Sequence, residues 1–283
     1  MKSLVLSLKV FLRLFTFRLT QRKSETALCK QFNFLNGKLF RSPVVLQWDE
    51  ETKSYLAVEK LDSKNKIYIY NSRKERLALY FSGIRHRVNA LATKYLISLI
   101  DIVDNDVVID CGANVGEIGK YFQLQGINID YHAFEPSLPE FESCKLNNQE
   151  GTINHKGLWK ESTQLEFFEK NDTADSSFIE MSGYKDKANI EVTCLEDYLL
   201  ERKIEKVKLL KLEAEGAEPE ILLGAKNILD RIDWITADCG PERGINKEMT
   251  FKPVINFLFE NGFKLEAMNP KKSIVLLKNS KNH

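Results

Sequence analysis

The run Val107-Val108-Ile109-Asp110-Cys111-Gly112-Ala113-Asn114-Val115-Gly116 decides the fold. A short apolar, β-branched segment ends at a carboxylate and a turn of small residues, and a helix is predicted to begin at Gly116. Nineteen residues beyond that glycine an acid, Glu135, stands in Ala-Phe-Glu-Pro. In a strand-turn-helix unit the tight turn brings backbone close to a nucleotide, and an acid at the end of the second strand reaches the ribose hydroxyls. The stretch therefore reads as the cofactor end of a doubly wound α/β sheet. A dinucleotide-binding turn needs glycine at its middle position so that amides can approach a pyrophosphate; here that position is Asn114. Asp110, two residues before Gly112, suits a cofactor carrying a cationic amine better than one carrying an anionic pyrophosphate, and S-adenosylmethionine has that amine. Glu135 does not discriminate, because methyltransferases and dehydrogenases both use an acid there.

Outward from this run the pattern alternates. The spacing predicts strand 107–111, helix 116–125, strand 130–134, helix 137–148, strand 152–158, an extra strand near 165–168, and helix 195–202. It continues with strand 207–212, helix 217–229, strand 234–239, helix 251–261, and strands 263–267 and 273–278 joined by the Asn269-Pro270 turn. Strands alternating with helices imply a mainly parallel, Rossmann-like sheet of seven strands with an antiparallel hairpin at one edge. Before it, Val88, Leu91, Ala92, Tyr95, Leu96 and Leu99 keep a helical spacing over 85–100, while residues 24 to about 80 read as a small accessory layer of short strands and turns. Three segments follow: an amphipathic helix over 1–22, a β-rich region over 23–83, and the cofactor-binding domain over 84–283.

The net charge of +1 hides an asymmetry, with 19 Lys+Arg against 7 Asp+Glu in residues 1–100 and 22 against 33 in the remainder. Five cysteines without a Cys-x-x-Cys pair argue against a disulfide framework and a thiolate metal site, and fit a reducing cytoplasm. No His/Asp/Glu cluster has metal-ligand spacing. At the amino terminus Lys2, Lys9, Arg13, Thr16 and Thr20 recur at helical steps and form a polar stripe, with apolar residues filling most of the circumference. Lys9 and Arg13 interrupt what would otherwise be a membrane-spanning run, and no small-residue cleavage site follows. Residues 1–20 are thus read either as a helix lying on the anionic inner face of a membrane or as one docked on protein or in a homodimer seam. The basic excess is confined to the first third, without an Arg/aromatic platform beside the cofactor loop, which counts against a nucleic-acid substrate.

A third stretch, Lys208-Leu209-Leu210-Lys211-Leu212-Glu213-Ala214-Glu215-Gly216-Ala217-Glu218-Pro219-Glu220-Ile221-Leu222-Leu223-Gly224-Ala225, completes an ordered set. With Asp-x-Gly-Ala-Asn-x-Gly and Phe-Glu-Pro before it, the chain resembles the FkbM family of methyltransferases over about residues 84–278. Glu213 stands where the family usually has Asp, so its carboxylate reaches one methylene further. The resemblance implies S-adenosylmethionine as cofactor and methylation of a hydroxyl on a sugar or secondary-metabolite acceptor. It further implies that Asp110, Gly112, Ala113, Asn114 and Gly116 form the methionine-side loop, that Glu135 and Pro136 hold the ribose end, and that Glu213 and Glu215 sit beside the acceptor.

For proton removal, Glu215 and Glu213 are candidates because ligands bind at the carboxyl ends of strands in open α/β sheets, with His155 in the third strand a further candidate. Glu218 and Glu220 read instead as acids favouring a helix start. The stretch Asp238-Cys239-Gly240-Pro241-Glu242-Arg243 reads as a turn that could line the acceptor site, and the polar run Asn171–Ser177 as a lid or a surface loop. Two alternatives remain at this level: a nicotinamide-dependent oxidoreductase, and a non-catalytic membrane-associated scaffold with the same fold.

Overall fold

The computed structural model describes residues 24–37, 42–63, 65–170 and 176–281. The amphipathic helix expected over 1–22 and most of the 171–177 run lie outside them. The chain divides into two compact units, one up to Asn89 and one from Ala90.

The first unit contains helix α1 (Glu25–Leu35) and an antiparallel sheet of β1 (Val44–Asp49), β2 (Ser54–Lys60) and β3 (Lys66–Asn71), in that order. Alternation puts Val44 and Leu46 of β1 and Ile67 and Ile69 of β3 inside. α1 was not expected, since the region read as strands and turns. Its buried face is Leu28, Cys29 and Phe32, a helical spacing. Asn33 turns its amide onto the edge strand, accepting from the Leu46 amide and donating to the Leu46 carbonyl, both at 2.8 Å. A side-chain amide there takes the place of a missing neighbour strand.

Helix α2 (Ile84–Lys94) crosses the division between the units. The second unit is then built from β4 (Val107–Cys111), α3 (Glu117–Gln125), β5 (Asp130–Phe134), α4 (Leu138–Asn147), β6 (Thr152–Asn154), β7 (Gly157–Leu158), β8 (Thr163–Glu169) and β9 (Asp186–Thr193). It continues through α5 (Leu195–Arg202), β10 (Val207–Leu212), α6 (Glu218–Leu223), β11 (Ile232–Asp238), the short pair β12 (Pro241–Arg243) and β13 (Glu248–Met249), α7 (Phe251–Glu260), β14 (Phe263–Asn269) and β15 (Ile274–Asn279).

Seven of these strands form the central sheet in the order β14-β15-β11-β10-β4-β5-β6. Neighbours from β11 to β6 are parallel, and β15 runs antiparallel to both β11 and β14. This is the doubly wound α/β architecture, with the terminal hairpin closing one edge. The strand order reverses between β4 and β10, and open α/β sheets bind their ligands in the crevice at such a reversal, beyond the carboxyl ends. Both faces are covered, which explains the near-continuous apolar strands. Ile109, Leu210, Leu212 and Ile235 pack with α5, α6 and α7 on one face, while Val108, Leu209 and Leu276 pack with residues of α2 and α3 on the other.

Three expectations are corrected. The strand over 152–158 splits, its first half joining the central sheet and Gly157–Leu158 joining a small sheet ordered β7-β9-β8. β9 was not foreseen, because in Asp-Lys-Ala-Asn-Ile-Glu-Val-Thr only Val192 is fully buried and no apolar run marks it. The helix over 217–229 stops at Leu223 and resumes as a 3-10 turn over Lys226–Arg231. A Cβ on Gly224 would lie 2.3 Å from the Trp159 carbonyl oxygen, so the backbone passes too close there for a side chain.

Candidate active site

The loop after β4 is shaped by left-handed residues: Gly112, Asn114 and Gly116 have φ of 70°, 51° and 77°. At Gly112 a Cβ would fall 1.8 Å from the Glu213 carbonyl oxygen, and at Gly116 one would fall 2.0 Å from Nδ2 of Asn148. Glycine is thus required at both positions by conformation and by space. Asn147 and Asn148, at the end of α4, donate to the carbonyls of Val115 and Gly116 at 2.8 and 3.1 Å, and the amides of Gly112 and Ala113 both donate to the Phe134 carbonyl. The turn that sequence reading placed at the cofactor is held from three sides.

Asp110 does not face open space. It is fully buried on β4, directly across from Lys211 of β10 in the parallel register. Lys211 Nζ lies 2.9 Å from its carboxylate, and Tyr131 donates to the same carboxylate at 2.7 Å. Lys211, itself buried, also donates to the carbonyls of Cys111 and Gly112 at 3.0 and 2.8 Å. One ammonium therefore joins the ends of β4 and β10 across the reversal.

Glu135, at the end of β5, accepts from the Asn114 amide at 2.7 Å and from the Ser137 amide at 2.9 Å. Burial, and next the Glu140 carboxylate, push its pKa up to about 7, against the pull of those two amides and Lys211. Pro136 follows on the same corner, where its carbonyl lies 3.0 Å from His155 Nε2 and the His155 ring stacks on Phe141. His155 comes directly after β6, three strands from β10, so it stands roughly 14 Å from the end of β10 at the usual strand spacing. It belongs to the Glu135 corner and not to the carboxylates after β10.

After β10 the chain makes a second tight turn. Glu213 Oε1 accepts from Lys94 Nζ at 2.9 Å, its other oxygen accepts from the Tyr95 hydroxyl, and Lys211 Nζ lies 3.6 Å away. Lys94 also reaches Asp238, at the end of β11, at 3.3 Å. Glu215 has φ 49° and a half-buried side chain, and Ser177 donates to its carbonyl at 3.0 Å. Glu218 is buried and folds back to cap its own loop, accepting from the amides of Ala214 and Gly216 and from the Thr250 hydroxyl at 3.1 Å. Glu220 makes a bidentate pair with Arg243 at 2.7 and 2.8 Å, which is the strong geometry for such a pair. Both acids thus do structural work at the helix start.

The stretch after β11 proves to be the short hairpin β12–β13, and it brings Glu242 to the same edge. Burial, then the carboxylates of Asp238, Glu213 and Glu218, push Glu242 up to about 8, with Lys94 opposing. Lys94, Tyr95, Lys211 and Glu242 were not named as site residues from sequence, because each is brought in by pairing distant in the chain. Cys111 and Cys239 flank the site, but burial pushes both thiols up to about 12, so neither supplies a thiolate nucleophile at neutral pH. Among the described residues no group of three or more His, Cys, Asp or Glu is placed to hold a metal ion, and no helix is long and apolar enough to cross a membrane.

Glu218 yields a stability prediction. Burial pushes it up to about 7. A carboxyl raised above its unfolded value contributes stability that is complete below about pH 4.5 and is lost as pH rises through about 7. Glu218→Gln keeps an oxygen for the two amides and removes the titration. Thermal melts should therefore show a midpoint a few degrees above wild type at pH 8 and no gain at pH 4. An equal change at both pH values would sink this reading.

Residues 110–265 match the family model of the methyltransferase FkbM domain. The chain belongs to the FkbM methyltransferase family. It is an S-adenosylmethionine-dependent methyltransferase, and the oxidoreductase alternative is set aside. Among proteins similar to it, the 2-O-methyltransferase NoeI of Sinorhizobium fredii is 22% identical over 234 residues, spanning 74% of this chain and 94% of that one. The 31-O-demethyl-FK506 methyltransferase FkbM of Streptomyces tacrolimicus is 22% identical over 174 residues, 50% of this chain and 65% of that one. Among solved structures, fibrillarin of Aeropyrum pernix with bound S-adenosyl-L-methionine aligns at 11% identity and a TM-score of 0.42, over 83% of this chain and 94% of that one.

The electrostatics of the FkbM domain fit the family's cofactor. Lys211 is committed to Asp110, Lys94 to Glu213 and Asp238, and Arg243 to Glu220. Three cations are thus set against four paired carboxylates, Asp110, Glu213, Asp238 and Glu220. Such an edge favours a sulfonium with an amine and disfavours a pyrophosphate.

Proposed function

We propose that this FkbM-family protein methylates a hydroxyl of a sugar-containing or secondary-metabolite acceptor, with Glu242 taking the hydroxyl proton. The observation that carries the reading is the carboxylate cluster at the strand-order reversal, in which one member, Glu242, is pushed up to about 8. A glutamate at its ordinary value near 4.3 is a weak base for a hydroxyl. One whose pKa lies near the working pH combines a sufficient ionised fraction with a real drive for proton transfer. The 2-O-methyltransferase NoeI and the FK506-directed FkbM enzyme, both similar to this chain, support an oxygen acceptor.

S-adenosylmethionine supplies, when bound, an activated methyl for in-line displacement. The loop Gly112–Gly116 would hold its methionine end and Glu135 its ribose, with Ala113 and Pro136 lining the two turns. Lys211 sets the direction of the Gly112 carbonyl. Glu213, whose oxygens are engaged by Lys94, Tyr95 and Lys211, holds the edge in place and is less suited than Glu242 to accept a further proton. Glu215 would border the acceptor. Alignment and exclusion of water do most of what the protein contributes to such a displacement.

The test is calorimetric titration with S-adenosylhomocysteine, followed by transfer of a labelled methyl group to a panel of glycosides and polyhydroxylated metabolites. Label recovered on a hydroxyl oxygen would establish the proposal; label on nitrogen or carbon would replace it. Absence of cofactor binding would move the protein to the scaffold reading. In the same titration Glu135→Ala is expected to weaken S-adenosylhomocysteine binding by about 1–3 kcal/mol, the usual cost of removing a partner from a buried polar group. Wild-type affinity in that variant would remove Glu135 from the cofactor.

A further inference from the structure

Each backbone amide from Gly112 to Gly116 is already engaged within the protein. Gly112 and Ala113 donate to the Phe134 carbonyl, Asn114 to Glu135, Val115 to the Asn114 side chain at 3.0 Å, and Gly116 to the Ala113 carbonyl at 2.9 Å. Gly112, Asn114 and Gly116 are left-handed, and such backbone persists only where its surroundings enforce it. The shape this turn offers a ligand is therefore set by what grips it from behind. On the α4 side the grip is a pair of consecutive carboxamides.

Asn147 and Asn148 are 3% and 2% exposed. Asn147 donates to the Val115 carbonyl at 2.8 Å, and Asn148 donates to the carbonyls of Gly116 and Cys144, both at 3.1 Å. The Asn148 oxygen accepts in turn from Gln123 of α3 at 3.3 Å. Its carboxamide fills a notch made by two glycines at the start of α3. A Cβ on Gly116 would fall 2.0 Å from the Asn148 nitrogen, and one on Gly119 would fall 2.2 Å from the Asn148 oxygen. Gly119 lies inside the helix, where any residue fits the backbone, so it is space that excludes a side chain there, and Asn148 is the nearest occupant of that space.

We infer that Asn147 and Asn148 are positioning residues for the methionine end of S-adenosylmethionine, acting through the Gly112–Gly116 turn. This deepens the proposed reaction and rests on that turn holding the methionine end. Removing either donor orphans a buried carbonyl. The turn then relaxes until water reaches that carbonyl, and the ligand has to draw it back, so the loss is read as affinity. The ribose end is spared, because Glu135 stands on β5 and keeps the Ser137 amide, which belongs to a different turn.

Two ligands separate the two ends. S-adenosylhomocysteine carries the amino-acid tail, whereas methylthioadenosine has the same adenosine and sulfur without it. Asn147→Asp and Asn148→Asp keep the side-chain shape and lose the donor. In each, S-adenosylhomocysteine affinity should fall about tenfold, the order expected when a buried carbonyl loses its partner, while that of methylthioadenosine stays within about twofold. Asn148→Ser serves if the Asp variants do not fold, since its hydroxyl can still bond the Cys144 carbonyl one turn back but is too short to reach Gly116.

The experiment is calorimetric titration of the full chain with S-adenosylhomocysteine, with methylthioadenosine measured by displacement, on wild type and these variants. A loss confined to the ligand with the tail supports the inference. Unchanged affinity for both ligands overturns it, and so does an equal loss for both, which is what asparagines that only braced the pocket would give. Wild type itself separates this from the reading beneath it. If wild type binds the two ligands alike, the turn does not hold the methionine end and both fall; if it prefers the tailed ligand and the variants keep that preference, the inference falls alone.

Discussion

Lys211→Met is expected to cost about 3–5 kcal/mol of folding stability, the usual loss when one partner of a buried ion pair is removed. The denaturant midpoint should fall at unchanged slope. The size follows from what the methionine leaves behind. Asp110 is 0% exposed, so its carboxylate can recover only the Tyr131 hydroxyl, and the carbonyls of Cys111 and Gly112 lose their shared donor. Adding Asp110→Asn removes the orphaned charge, and the double variant should regain more than half of the loss. Additivity of the two single variants would show that the residues do not act as a pair. A Lys211→Met cost below about 1 kcal/mol, the range of an exposed ion pair, would mean that the pair is not what holds β4 to β10. The same tie bears on the cofactor, since Lys211 orients the Gly112 carbonyl at the head of the loop. Asp110, read from sequence as a carboxylate suited to the cofactor's amine, is buried at the foot of that loop with Lys211 and Tyr131 as its partners.

This division between what is local and what is paired across the sheet also marks how much could be read from residue order. β4, β5, α5 and β10 were placed at their observed bounds, because a strand covered on both faces is written as an apolar run. The terminal hairpin, β14–β15, was legible from its turn. α1 was missed because its few buried positions sit among polar residues, and β9 because most of it is exposed. In the site, the turn at Gly112–Gly116 and the acid at 135 were legible as local chemistry. The Lys211–Asp110 pair was not, since it joins residues whose meeting depends on the parallel register of β10 on β4. Lys94 and Tyr95 read as lying within a helix over 85–100, whereas the helix ends at Lys94, and nothing near them in sequence announces Glu213. His155 was placed in a strand and proves to belong to the Glu135 corner, because the third strand ends at Asn154.

Glu242→Gln is expected to lower kcat/KM by about 10²–10⁴-fold, the usual contribution of a positioned general base, while leaving S-adenosylhomocysteine affinity unchanged. The residue lay within a stretch read as a turn, and the turn is real. What could not be read there is that burial and then the charges of Asp238 on β11, Glu213 after β10 and Glu218 on α6 push it up to about 8. A base must be ionised to accept a proton, so wild-type kcat/KM should climb about tenfold per pH unit below that value and flatten above it. The Gln variant should lose the climb as well as the rate. Glu213→Gln, by contrast, should lower the rate without abolishing the pH dependence, because it removes one of the charges that raise Glu242 and moves the climb to lower pH. These measurements need the acceptor that the labelled-methyl screen identifies. Full activity in Glu242→Gln, or a wild-type profile flat between pH 6 and 9, would return the proton to another group, with Glu215 the next carboxylate to test.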